Sequence, residues 1–97
     1  MAEDEVRIDV WLWRARFFKT RAMAAEAVER GVRVRRSGEP TSEWPARIDK
    51  PGRPVRPGDE IVFARSGRLA AIRIEALGWR RGPPTEARAL YSSLENP

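Results

Sequence analysis

Apolar residues in the first third of the chain recur with a helical period. Ile8, Trp11, Leu12, Ala15 and Phe18 share one face when successive residues turn by about 100°. They are the expected core stripe of a first helix. Asp9 is its expected N-cap, because a carboxylate there accepts from first-turn amides and complements the positive end of the helix dipole. Val10, Trp13, Arg14 and Phe17 point the other way, with Arg16 on the flank. Two aromatic residues four apart beside Arg leave two readings open. Trp13 and Phe17 either pack under the C-terminal segment or stack on bases or a partner.

The pattern then resets. Thr20 is the expected cap of a second helix that opens at Arg21 and closes at Gly31. Its inner stripe is Ala24, Ala27 and Val28, side chains small enough to let the two helices approach closely. Val32, Arg33, Val34 and Arg35 alternate as a strand, with Val inward and Arg outward. Ser37-Gly38 reads as a turn. The stretch 39–54 reads as a long irregular crossing with a short strand near Ala46-Arg47-Ile48. A Pro57-Gly58 turn leads into a strand over Glu60–Arg65, Ser66-Gly67 makes a second turn, and 69–76 is a third strand. After a linker at 77–84, Thr85 is the expected cap of a last helix with Ala87, Leu90, Tyr91 and Leu94 along one side. Such a short helix holds only if it docks, with Trp13, Phe17 or Trp79 as candidate partners. The predicted class is α+β: two N-terminal helices on a small mixed or antiparallel sheet, with a short C-terminal helix. The acidic start, residues 1–5, has nothing to bury and is expected to be disordered.

Length and composition narrow the function. Ninety-seven residues make one domain with a small core. There is no cysteine and no histidine, so disulfides, a zinc site and Ser-His or Cys-His nucleophiles are excluded. No apolar run is long enough to cross a bilayer, and the start lacks a signal-peptide pattern, so a cytoplasmic location is expected. The carboxylates are scattered. Their one adjacent pair in the folded part, Asp59-Glu60, follows the Pro-Gly turn and reads as a solvated turn. No Gly-rich phosphate loop precedes a helix. Neither an enzyme nor a cofactor is expected.

Charge points to a partner. Of nineteen basic residues seventeen are Arg, and nine of the nineteen lie between Arg7 and Arg36 against three acids, a larger local excess than the +5 of the whole chain. Coding in a GC-rich genome accounts equally well for Arg over Lys. It does not account for the concentration in one stretch. Arg forks onto phosphate and stacks on bases. Arg7 precedes helix one, Arg14 and Arg16 lie on its outer side, Lys19, Thr20 and Arg21 form the junction, and Arg33 and Arg35 project from the next strand. Together they are the candidate surface for a nucleic-acid backbone.

The stretch RIDVWLWRARFFKTRAMAAEAVERGVRV, with VRPGDEI further on, resembles the RNA-binding domain first seen in ribosomal small-subunit protein four, the S-four domain. More closely, DVWLWRARFFKTRAMA together with RRGPPTEARALYSSLE resembles the ribosome-associated heat shock protein 15 family. The resemblance runs from Val6 to about Glu95. It implies an S-four-like core over 6–76, followed by a linker and C-terminal helix over 77–97. It implies RNA contacts by Arg7, Arg16, Lys19, Thr20 and Arg21, and places Arg47 and Lys50 in a crossing that tends to be basic in the family. It further implies binding to ribosomal RNA of the large subunit, when a stalled nascent chain with its tRNA remains after abnormal dissociation. Transfer RNA and DNA are further candidate partners, and the expected assembly is a monomer. Two features depart from the family. Its usual Val-x-Val-Asn-Gly strand and turn reads here Val32-Arg33-Val34-Arg35-Arg36-Ser37-Gly38, with the Asn missing and one extra residue, and its long basic C-terminal extension has no counterpart before Pro97, so contacts made by that extension are expected to be lacking.

Overall fold

The computed structural model describes residues 4–36 and 47–94. The expectations for residues 1–3, for the Ser37-Gly38 turn and for the crossing as far as residue 46 lie outside the described residues. In chain order the elements are β1 (Val6–Arg7), α1 (Ile8–Arg14), α2 (Arg21–Arg30), β2 (Val32–Arg35), β3 (Arg47–Ile48), β4 (Pro54–Val55), β5 (Glu60–Arg65), β6 (Arg68–Ile74), α3 (Pro84–Arg88) and β7 (Tyr91–Ser93). The main sheet has the order β3-β2-β5-β6-β7, antiparallel throughout, and β1 pairs with β4 in a separate two-stranded ribbon. The ribbon has no counterpart in the sequence pattern, because two-residue strands leave no periodic signal.

The core is where the apolar stripes of the helices meet one face of the sheet. Ile8, Trp11 and Leu12 of α1 and Ala24 and Val28 of α2 are buried with Val32, Val34, Ile61, Phe63, Ile72 and Ile74. Register explains the sheet's share. Val34, Ile61 and Ile72 sit opposite one another across three strands, so their side chains reach the same face. The Trp11 indole N–H donates to the Ala76 carbonyl at 2.9 Å, tying α1 to the end of β6.

One step along the same strands, Arg35, Glu60 and Arg73 are also opposite one another, on the other face. Glu60 is buried and accepts from both guanidinium groups. Neighbouring Asp59 is buried too, accepting from the Arg56 amide at 3.0 Å and from Arg36 at 3.3 Å. The expected solvated turn is therefore a pair of internal acceptors that fasten the start of β5. Burial by itself raises the Glu60 carboxyl, but the hydrogen bonds and charges of Arg35 and Arg73 outweigh it and hold the group below its ordinary value of 4.5. A carboxylate depressed on folding contributes stability above its unfolded value, and that stability disappears as pH falls through the folded value. The thermal midpoint should accordingly drop as pH is lowered from about 6 to about 3, and Glu60→Gln, which cannot ionise, should flatten the dependence. Melting curves across that range check this.

Two helix boundaries differ from expectation. Asp9 is not the N-cap. The cap position falls two residues earlier, at Arg7, and the first amides of α1 are taken by the main chain of the crossing: Ile8 N–H donates to the Arg53 carbonyl at 2.8 Å and Asp9 N–H to the Pro51 carbonyl at 3.3 Å. The buried Asp9 carboxylate accepts instead from the Val10 amide and, through both oxygens, from Arg7. α1 also ends at Arg14, well before Phe18. Arg16 takes a left-handed conformation, φ 65°, with its amide on the Trp13 carbonyl at 3.0 Å and the Phe17 amide on Leu12 at 3.1 Å. That pair of bonds reverses the chain and is normally built on glycine. A non-glycine residue there costs about 1 kcal/mol or more.

The early reversal swaps the two phenylalanines. Helical phase no longer applies beyond Ala15, so Phe17 turns inward and Phe18 is left half-buried. The Phe17 ring lies 4.6 Å from Tyr91, 5.0 Å from Phe63 and 6.2 Å from Trp11. Of the two readings for Phe17, packing is the one observed. The C-terminal segment is also different from the expected helix of about two to three turns. α3 closes after five residues, with Pro83 and not Thr85 at its cap position. Tyr91 and its neighbours then extend as β7 and add a strand to the free edge of β6. Leu94 N–H continues the ladder to the Ala71 carbonyl at 2.9 Å.

Candidate nucleic-acid interface

α2 follows the sequence closely. Thr20 is its N-cap, accepting from the Met23 amide at 3.0 Å, and Gly31 closes it at φ 116°. Gly31 is needed twice over, because a Cβ there would also run into the Arg47 guanidinium, which lies across it and donates to the Arg30 carbonyl at 2.6 Å.

Lys19, Thr20 and Arg21 are exposed on the link between α1 and α2. Neither Lys19 nor Arg21 is in an ion pair among the described residues. Arg14 stands nearby. Its guanidinium is half-buried and donates to the Gly78 carbonyl at 2.9 Å and the Leu77 carbonyl at 3.4 Å. Burial and, after it, the charge of Arg21 lower its pKa from the ordinary arginine value, the second being the mark of a like charge as neighbour. Arg16, two residues further on, donates its Nε–H to the Gly82 carbonyl at 2.6 Å. Positive charge is thus gathered at the helix junction on neutral acceptors, which hold the side chains without cancelling them.

The remaining candidates fall into smaller groups. Arg33 and Arg47 are directly opposite on β2 and β3, both exposed, which sets two cations side by side at that edge of the sheet. Arg7 is engaged by Asp9 through two hydrogen bonds of 3.0 Å, which together with the carboxylate's charge raise its pKa. The Arg7 guanidinium also lies beside Gly52, near enough that a Cβ there would be 3.8 Å from its Cζ. Gly52 belongs to the turn that begins at exposed Lys50, whose carbonyl accepts from the Arg53 amide at 3.0 Å. Arg35 is turned to Glu60 on the far face of the sheet. The structure therefore brings together Arg14, Lys19, Thr20 and Arg21, pairs Arg33 with Arg47, sets Arg7 beside the Lys50 turn, and leaves Arg35 inside an ion-pair network.

Sequence reasoning passed over Arg81 and Arg65. Arg81 donates to the Trp13 carbonyl at 3.1 Å with its guanidinium 5.9 Å from the indole centre. Arg65 donates to the Phe17 carbonyl at 2.9 Å and stands 5.7 Å over that ring. Both brace the end of α1 from more than forty residues away in sequence, so no local signal announces them. Trp13 is half-buried under Arg81. No group of three or more His, Cys, Asp or Glu able to hold a metal occurs among the described residues, and none of their helices is long and apolar enough to cross a membrane.

Fold and surface together define a class: a small S-four-like α+β domain with cations concentrated on its helix pair. No family model matches the chain. Heat shock protein 15 of Escherichia coli K12 is 34% identical over 87 residues, which cover 90% of this chain and 59% of that protein. The Haemophilus influenzae homolog is 38% identical over 97 residues, 99% of this chain and 66% of its own length. A solved structure described as trimeric Vibrio cholerae heat shock protein 15 superposes with a TM-score of 0.71 at 36% identity, covering 92% of this chain and 81% of that one. The chain belongs to the heat shock protein 15 family. It spans 59% of the Escherichia coli relative's length.

Proposed function

We propose that this chain is a non-enzymatic, cytoplasmic RNA-binding protein that recognises structured ribosomal RNA of the large subunit by shape and phosphate contacts. The observation that carries this reading is the helix junction, where Lys19 and Arg21 are exposed beside Arg14 with no carboxylate paired to any of them among the described residues. Such a cluster is repelled by itself and relieved by an anionic backbone. Thr20 and the first amides of α2 add directed donors. The family's association with heat shock, together with the resemblance described above, supports a role on large subunits that retain a nascent chain and its tRNA. Transfer RNA and DNA are weaker ligands in this reading, because a surface that reads shape and phosphate discriminates among nucleic acids only by geometry.

Co-sedimentation with purified ribosomal subunits tests it. Binding should favour large subunits carrying a blocked nascent chain and should weaken steeply with salt, with a log–log slope of about 0.7–0.9 per phosphate contacted. Salt-independent association that survives nuclease treatment would replace the reading with a protein-interaction module, and binding to naked RNA alone would leave only the generic domain function. We propose a monomer as the binding form. The Vibrio cholerae relative is described as trimeric, and sedimentation velocity on the free chain distinguishes the two.

A further inference from the structure

Two sets stand out among the arginines of this chain. Arg7, Arg35, Arg36, Arg56, Arg73 and Arg80 each pair with a carboxylate. Arg16, Arg65 and Arg81 do not, among the described residues. Each of them gives its Nε–H to a main-chain carbonyl, of Gly82, Phe17 and Trp13 respectively. These three, with Arg88 of α3, line one open cavity of about 300 Å³ whose wall includes Phe17 and Tyr91 and, among the described residues, no carboxylate. Four guanidinium groups around one recess with no counter-charge among the described residues repel one another, and an anion would stabilise the arrangement.

We propose that this recess receives a single unstacked nucleotide of a single-stranded RNA segment, its phosphate among the guanidinium groups. Three observations favour a nucleotide over a duplex backbone. The site is concave, set between the end of α1, the end of β5, α3 and β7, whereas phosphates of a duplex lie on a convex rod. Its walls carry guanidinium planes and aromatic rings, the surfaces on which splayed bases stack. Arg16, on the wall of the recess, stands three residues before Lys19, so the recess and the junction are carried on the same connection between α1 and α2. The inference rests on the RNA-binding reading above and adds to it a place where a base-paired RNA gives way to a single strand.

The test compares a blunt labelled RNA hairpin with the same hairpin carrying a short single-stranded tail, by fluorescence anisotropy. The unmodified chain should bind the tailed RNA about tenfold tighter or more, the worth of one charge-assisted contact. The Arg65→Gln/Arg88→Gln variant, checked for an unchanged fold by circular dichroism, should lose that increment and keep its affinity for the blunt hairpin. Arg88→Gln alone, which removes no hydrogen bond among the described residues, should lose part of it. Lys19→Ala/Arg21→Ala should weaken both RNAs and keep the increment. A tail that adds nothing to the unmodified chain, or an increment that survives Arg65→Gln/Arg88→Gln, overturns the proposal while leaving RNA binding intact. Failure of the unmodified chain to bind either RNA overturns the RNA reading and the recess with it, a visibly different result.

Discussion

Trp11→Ala is expected to lower the stability of this domain by about 3–5 kcal/mol, a large part of the roughly 5–15 kcal/mol typical of a single domain. Trp11 is completely buried, contacts the Phe17 ring, and closes the gap between α1 and the end of β6 through its bond to Ala76. A chain of 97 residues has few large side chains to share that load. In urea titrations the midpoint should fall sharply with little change in slope, because the area exposed on unfolding is nearly the same. Trp11→Phe separates the two contributions. It keeps most of the apolar volume and removes the indole N–H, so it should lose about 1–2 kcal/mol. Equal losses in the two variants would mean that the hydrogen bond and not the packing holds α1 in place.

The second large effect concerns binding. Lys19→Ala/Arg21→Ala should weaken association with structured RNA by about tenfold or more per cation at low salt, and should reduce the salt slope by about one per lost phosphate contact. Stability should change by less than about 0.5 kcal/mol, because both side chains are exposed and alanine suits a helix start. Thr20 stays in place as the cap. Titrations of a labelled hairpin at several salt concentrations, beside a melting curve, report both quantities. An unchanged affinity in the folded variant would sink the RNA-binding assignment. Arg16 is a poor choice for the same experiment. Its left-handed backbone makes Arg16→Ala a strained substitution, and its bond to Gly82 holds the C-terminal segment, so a loss of binding could not be separated from a loss of fold. Arg16→Gly removes the side chain without the strain.

α2 was legible to the residue, from Thr20 to Gly31, because a hydroxyl cap and a closing glycine are local signals. The strands over Val32–Arg35 and Glu60–Arg65 were legible for a similar reason, since alternation declares a half-buried strand. Phe17 was not, because the reversal at Arg16 uses no glycine and the helical pattern runs on past the point where the helix stops. β7 was not, because Leu90, Tyr91 and Leu94 fit a helical face as well as they fit a strand, and the open edge of β6 decides between them. For the candidate site, the cluster at Lys19, Thr20 and Arg21 could be read directly. That Arg35 is turned to Glu60 could not, since it depends on a cross-strand register set far away in sequence. Arg65 and Arg81 join the end of α1 only through tertiary contact.

The Nε–H bonds of Arg16, Arg65 and Arg81 to main-chain carbonyls have a consequence for where disorder is lost. A free arginine side chain carries about 2 kcal/mol of rotamer entropy, which an ordinary surface contact must extinguish at the moment of binding. Here much of that freedom has gone when the chain folds. The cost has moved from the complex to the free protein, leaving a domain somewhat less stable than its packing would allow and a set of guanidinium groups that meet an anion already aimed.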